Sequence, residues 1–228
     1  MTQEARRAIE SADVVVGYKT YVSLIQSIIN PKSEVFSGVM GKEVDRAEVA
    51  VKKALENKHV AVVSSGDPGV YGMAGLVLEV VAREKANVPV EVVPGVTAAT
   101  AAAARLGAPL VTDFAVISLS DILTPWNLIE KRLKVAAEAD FVIVLYNPQS
   151  QGRKEPLAKA YEILLKNRSP STPVGVVRQA GRKGEEATLT ALKDLLNCEV
   201  DMATTVIVGN STTRVVEGRM VTPRGYEL

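Results

Sequence analysis

A chain of 228 residues is long enough for one large α/β domain or two small ones, each with its own core. Its 27 basic residues balance 26 acidic ones, so no global field draws it to nucleic acid or to a membrane surface. A single cysteine, Cys198, allows no internal disulfide and fits a reducing, cytoplasmic setting, while one histidine, His59, leaves no clustered set of side chains for a metal.

No apolar stretch reaches the length of a membrane span, and no signal-peptide pattern opens the chain. Ala5, Ala8, Ile9 and Ala12 share one face of a first helix, with Thr2 as its N-cap. Val14, Val15 and Val16 read as a strand ended by Gly17. A helix over 21–29 stops at Asn30-Pro31. Another helix over 42–57 carries Val44, Ala47, Val51, Ala54 and Leu55 on one face and charges on the other. The apolar run from Val60 to Val63 predicts a buried strand, followed by a glycine-rich turn and a helix over 71–83. A further strand over 90–93 leads through Pro94-Gly95-Val96-Thr97 into an alanine-rich helix ending at Gly107.

The second half repeats the alternation. A strand over 114–119 is followed by Ser120-Asp121, then by Thr124 as N-cap and Pro125 at the first position of a helix reaching 139. A strand over 141–146 ends at Asn147-Pro148, and a polar loop precedes a helix over 155–167. Next come a strand over 173–178, Gln179-Ala180-Gly181-Arg182, a helix over 190–197, and a strand over 204–208 ending at Gly209-Asn210-Ser211. Strands alternating with helices predict an α/β fold with a mostly parallel sheet, in two lobes covering 1–110 and 111–228 with a cleft between them for a ligand. The first lobe opens on a helix where later units open on a strand. A strand before Met1 would complete the pattern, so a truncated or misassigned start is expected.

In open α/β sheets ligands lie beyond the carboxyl ends of the strands, which makes Ser64 to Met73 the first candidate site. Neither a phosphate-binding G-x-x-x-x-G-K-[ST] nor a G-x-G-x-x-G stands there. Asp67 would repel a phosphate but could accept hydrogen bonds from hydroxyls or an ammonium group. On the plainer reading it only caps the next helix. Arg153, Lys154, Arg178, Arg182, Lys183 and Arg214 fall in or beside the later loops, where a few could meet a substrate bearing several carboxylates. His59, beside Lys58, reads as a solvated loop residue.

The run Ser64-Ser65-Gly66-Asp67-Pro68-Gly69-Val70-Tyr71-Gly72-Met73-Ala74 resembles the tetrapyrrole methylases of cobalamin biosynthesis. Asp113 to Asp121, Thr124-Pro125-Trp126, Leu145-Tyr146-Asn147-Pro148, Gly209-Asn210-Ser211 and Thr222-Pro223-Arg224-Gly225-Tyr226 narrow the resemblance to the branch that methylates C17 of precorrin-3B or cobalt-factor III. It covers essentially the whole chain. It implies two α/β domains holding S-adenosylmethionine, a homodimer, and methylation of a tetrapyrrole with ring contraction. No nucleic acid, membrane or protein-bound metal is implied. Carried over by position, Gly66, Asp67, Val70, Tyr71, Thr97 and Ala98 would surround the cofactor in the first domain, with Asp67 on its polar groups. Tyr146, Asn147, Ala180 and Thr204 would do so in the second.

Ring contraction needs a proton removed from a macrocycle oxygen, for which Asp121 and Asp113 are candidates. Ser118, Ser120 and Tyr71 would be hydrogen-bond partners, and Ser120, Arg153, Arg178 and Arg182 would bind substrate. Asp121 reads equally well as a turn residue before the next helix. Two features depart from the family: its opening strand with a G-x-G-P-G-D turn is absent, and Thr112 stands where histidine is expected before Asp113. Rival readings are a sister methylase acting at another carbon and a tetrapyrrole-binding protein without catalysis. A nucleotide-dependent oxidoreductase is disfavoured by the missing dinucleotide fingerprint.

Overall fold

The structure, a computed structural model, describes every residue except 151, 153, 154 and 228, and the chain divides into two units, Met1–Thr97 and Ala98–Leu228. In the first unit the order is α1 (Gln3–Glu10), β1 (Val14–Tyr18), α2 (Lys19–Leu24), β2 (Glu34–Gly38), α3 (Glu43–Leu55), β3 (Val60–Val63) and α4 (Ala74–Arg83). Thr2 caps α1 as expected, its hydroxyl accepting from the Ala5 amide. The strands form a parallel sheet ordered β2-β1-β3. The central strand buries alternate residues on opposite faces. Val15 packs with Ile9, Ala12, Val22 and Ile29, while Val14 and Val16 pack with Ala50. Gly17 continues β1 and does not end it. A β-carbon there would lie 2.4 Å from Val63 Cγ2, so glycine serves the close packing of neighbouring strands.

Three expectations for this unit change. β2 was not foreseen because its exposed edge carries little apolar alternation. The helix expected from 71 starts at Ala74, since Tyr71 adopts a left-handed backbone with φ 54° that no helix accommodates. The apolar residues at 90–93 form no strand. β-Propensity needs a neighbouring strand to act on, and among the described residues β3 pairs with β1 alone. His59 is exposed, its amide donating to Asp13 and its ring nitrogen lying 3.2 Å from the Ser11 carbonyl, so it has a local structural role.

The second unit comprises α5 (Ala98–Leu106), β4 (Gly107–Ala108), β5 (Phe114–Ser118), α6 (Trp126–Glu138), β6 (Val142–Tyr146), α7 (Glu155–Leu165), β7 (Pro173–Arg178), β8 (Glu186–Ala191), β9 (Thr204–Val208), β10 (Arg214–Val216) and β11 (Arg219–Val221). Its main sheet runs β5-β6-β9-β7-β8. Only β5 and β6 are parallel neighbours; β9 is antiparallel to β6 and to β7, and β8 to β7. The expectation of a mostly parallel sheet therefore fails here. β8 was read as loop and helix, yet it returns beside β7 with Arg178 opposite Glu186. Leu192 and Leu195 gave 190–197 a helical look. They instead share the buried side of a 3₁₀ segment, Leu192–Asn197, whose three-residue repeat brings them into line.

Side chains alternate across this sheet. Ile143 and Leu145 meet α6 and α7 on one face, while Val142 and Val144 meet Ala99, Ala102, Ala103 and Leu106 of α5 on the other. The alanines let α5 lie close to the strands, and Gly175 admits Leu106, whose Cδ1 would be 2.1 Å from a β-carbon at that position. This packing places α5 in the second unit, so the division falls at Thr97 and Ala98, earlier than the sequence reading put it. β10 and β11 form a hairpin through Glu217 and Gly218, both at positive φ, and β11 pairs with β4. No helix among the described residues is long and apolar enough to cross a membrane.

Candidate active site

In the first unit the loop after β3 is built around Asp67. Its Oδ1 accepts from the Gly69 amide and its Oδ2 from the Gly95 amide, each at 2.8 Å. One carboxylate thus closes its own turn and ties that turn to the segment after residue 93. The closeness demands glycine. A β-carbon on Gly95 would stand 2.0 Å from the Gly66 carbonyl oxygen, and one on Gly72 would stand 2.5 Å from the Pro68 carbonyl oxygen. The Met73 amide donates to Ser64 Oγ, and the Ala74 amide to the Pro68 carbonyl, folding the loop back before α4 begins. The helix-cap reading of Asp67 is corrected by these contacts, which engage both carboxylate oxygens with backbone amides of its own loop and of the segment after residue 93. Gly66, with φ 74°, and Tyr71 are both exposed on this loop. Val70 is half-buried beside them. Thr97, at the end of the tethered segment, is half-buried as well.

In the second unit the polar candidates gather at one end of the main sheet. β5, β6 and β7 finish there, and antiparallel β9 starts there, with Thr204 opposite Arg178. Ser118 Oγ accepts from Asn147 Nδ2 at 2.9 Å and from the Ser120 amide at 3.2 Å. The Leu119 amide donates to the Tyr146 carbonyl, and Tyr146 Oη accepts from the Ala99 amide at 2.6 Å. Asn147 and Gln179 hold left-handed backbones that turn the chain sharply at the strand ends. Asp121 is exposed just beyond, Ala180 is half-buried, and Ala98 opens α5.

Several expected roles change with these positions. Asp113 precedes β5 and lies at the opposite end of the strand from Ser118, about 16–17 Å away at the rise of an extended chain. Its carbonyl accepts from Val142 there, so it cannot act with Ser118 or Asp121, and the same holds for Thr112. Arg178 is held by Glu186 at 2.9 Å and Glu199 at 3.3 Å, which commits its guanidinium to carboxylates of the protein itself. The Thr204 hydroxyl donates to Asp201 Oδ1 and accepts from the Asp201 amide, fixing the entry to β9 from a buried position. Arg182 remains beside the cluster and half-buried, whereas Arg153 lies outside the described residues. Gly209-Asn210-Ser211 follows β9 at the far end. There Ser211 binds Asp140, and Asn210 Oδ1 accepts from Thr212 and Thr213, so that run stabilises the unit away from the cluster.

Sequence reasoning missed Glu185. Its carboxylate accepts from the Gly181 amide and pairs with Arg105 of α5 at 2.8 Å, tying the loop after β7 to the helix. The Gly181 hydrogen bond, reinforced by Arg105 against a smaller burial effect, holds the carboxyl below its ordinary range. Because the folded value is the lower one, this tether is fully present above the unfolded value and is lost as pH falls through the folded value. Amide protection in 179–185, relative to intrinsic exchange rates at each pH, should therefore fall on acidification in the native chain. In Glu185→Gln that protection should already be lower at neutral pH and flatter across the acid range.

A family model described as Tetrapyrrole (Corrin/Porphyrin) Methylases matches residues 1–196. The chain belongs to the tetrapyrrole methylase family. This methylase is 53% identical over 228 residues to the "Probable cobalt-factor III C(17)-methyltransferase" of Salmonella typhimurium, covering 100% of this chain and 94% of that protein. It is 52% identical to the "Cobalt-factor III methyltransferase" of Priestia megaterium, covering 100% of this chain but 43% of that longer protein. Its fold matches the crystal structure of the methyltransferase CobJ with a TM-score of 0.91 at 37% identity, over 98% of this chain and 93% of the other.

Proposed function

We propose that this tetrapyrrole methylase catalyses S-adenosylmethionine-dependent methylation of C17 of cobalt-factor III, with contraction of the macrocycle. It is a C-methyltransferase of cobalamin biosynthesis. The observation that carries the substrate assignment is identity above 50% along the whole chain to two proteins named for cobalt-factor III. The glycine-lined loops suit a ligand lying against backbone: Gly66 is exposed at positive φ, and a β-carbon on Gly181 would meet nothing within 4 Å.

When bound, S-adenosylmethionine supplies an electrophilic methyl group on a sulfonium, for which no protein nucleophile is needed. The chain's own task is alignment, which can supply on the order of 7–11 kcal/mol of a barrier. In the first unit, Asp67 holds the loop in which Gly66, Val70 and Tyr71 are assigned to the cofactor. In the second, Ala98, Asn147 and Ala180 keep that assignment through their place at the sheet end. Thr204 and Tyr146 support the backbone there. Ser118, Ser120 and Arg182 are assigned to the macrocycle, and Asp121 to removal of the proton that precedes ring contraction.

Asp121→Asn should leave methyl transfer within about threefold of native while lowering ring contraction by roughly 10²–10⁴. Following both steps by mass and absorbance, with the cobalt and metal-free substrates in parallel, checks the assignment. Unaltered contraction removes Asp121 from it, and preference for the metal-free form overturns the choice of cobalt-factor III.

A further inference from the structure

Resemblance alone placed Tyr146 beside the cofactor, but its contacts give it a different use. The first four amides of a helix have no partner within the helix. Ala99 is the second residue of α5 and is fully buried, so water cannot satisfy its N–H. Tyr146 Oη supplies the acceptor at 2.6 Å. The same residue's carbonyl accepts from Leu119 at 2.8 Å, where β5 gives way to the loop bearing Ser120 and Asp121. Its neighbour Asn147 donates to Ser118 Oγ at 2.9 Å, and that oxygen also accepts from Ser120. The phenol ring packs among the residues that join α5 to the sheet. Two separate segments, the start of α5 and the loop after β5, are thus referenced to one strand end.

We propose that Tyr146 is a positioning residue for the methyl donor's binding site, its hydroxyl setting the start of α5. The inference rests on the functional reading above, which assigns Ala98 to the cofactor and Ser120 and Asp121 to the macrocycle. The hydroxyl acts through α5, so its removal weakens cofactor binding and leaves the reacting groups in place.

Tyr146→Phe keeps the packed ring and removes the acceptor, which makes a folded variant the expectation. The dissociation constant for S-adenosylmethionine, measured by calorimetry, should rise about three- to tenfold, the range a net buried hydrogen bond supports. The turnover number at saturating cofactor and substrate should stay within about twofold of native. Amide exchange at the first turn of α5 should accelerate in the same protein, a readout that needs no activity. Native-like cofactor affinity in Tyr146→Phe overturns the inference, even if thermal stability falls, because the hydroxyl would then be a structural contact only. A reduced turnover number at unchanged affinity also overturns it, by placing the hydroxyl on the reacting atoms. Failure of the native chain to bind S-adenosylmethionine refutes the functional reading and this inference with it, whereas native binding with an unaffected variant refutes the inference alone.

Discussion

Replacing Asp67 by alanine should weaken S-adenosylmethionine binding by roughly 30- to 1000-fold with the fold retained. The carboxylate makes two charge-assisted bonds, to the Gly69 and Gly95 amides. Such bonds contribute roughly 1.5–3 kcal/mol each when shielded, and partial exposure of the loop brings the pair to about 2–4 kcal/mol. That energy holds the loop after β3 against the segment ending at Thr97. Without it both backbones are released and must be ordered again by the ligand. Asp67→Asn is the informative companion. Its amide oxygen can accept from one of the two N–H groups, but its NH₂ cannot accept from the other, so an intermediate loss of about tenfold is expected. Calorimetric titration of both variants checks the order. Equal, native-like affinities would show that the tether does not serve binding.

Arg168→Met should cost the second unit about 2–4 kcal/mol. The guanidinium is almost fully buried. It donates to the Ala137 carbonyl at 2.6 Å and the Phe141 carbonyl at 2.9 Å, and it pairs with Asp140 at 3.1 Å. Burial pulls its pKa down, partly offset by the charge of Asp140. Breaking a buried pair from one side typically costs about 3–5 kcal/mol, but Asp140 is 40% exposed and water relieves part of that loss. Asp140 in turn binds Ser211, so the damage should spread to the turn after β9. Denaturant unfolding gives the stability change, and amide exchange should locate it in β6 and β9. A change below about 1 kcal/mol would contradict this account of the network.

The fold was legible where burial on both faces leaves an unmistakable run, as in β1, β6 and β9, and where capping chemistry is local, as at Thr2. Its edges were not. β2 and β8 lie at the rims of their sheets, where one side faces solvent and the alternation is diluted by Glu34, Ser37, Glu186 and Thr188. The apolar residues at 90–93 gave the opposite error, because composition does not say whether a strand has a neighbour to pair with. The alanines of α5 announced a helix but not the sheet it would cover. That depends on Gly175, far away in sequence, admitting Leu106.

The candidate site was legible as a set of loops and less so as a set of roles. Ser118, Ser120, Asp121, Tyr146, Asn147 and Ala180 do share one end of a sheet, which follows from the order of strands. Asp113 was misplaced by being only five residues from Ser118 in sequence, because a strand separates its two ends as far as its length allows. Arg178 was read as a substrate ligand and Asp67 as a cofactor ligand or a helix cap. Whether a charge is free depends on partners such as Glu186, Glu199 and the Gly95 amide, and those are fixed only by tertiary pairing. Gly209-Asn210-Ser211 carried family information but no chemistry, since it serves the far end of the same sheet.

The central claim is methyl transfer to one carbon of one macrocycle. The most direct measurement incubates the chain with cobalt-factor III and S-adenosylmethionine carrying a ¹³C-methyl group, then locates the label in the product by NMR. Label at C17 of a contracted ring is the predicted result. Label at another carbon, or a bound macrocycle that gains no label, would contradict it.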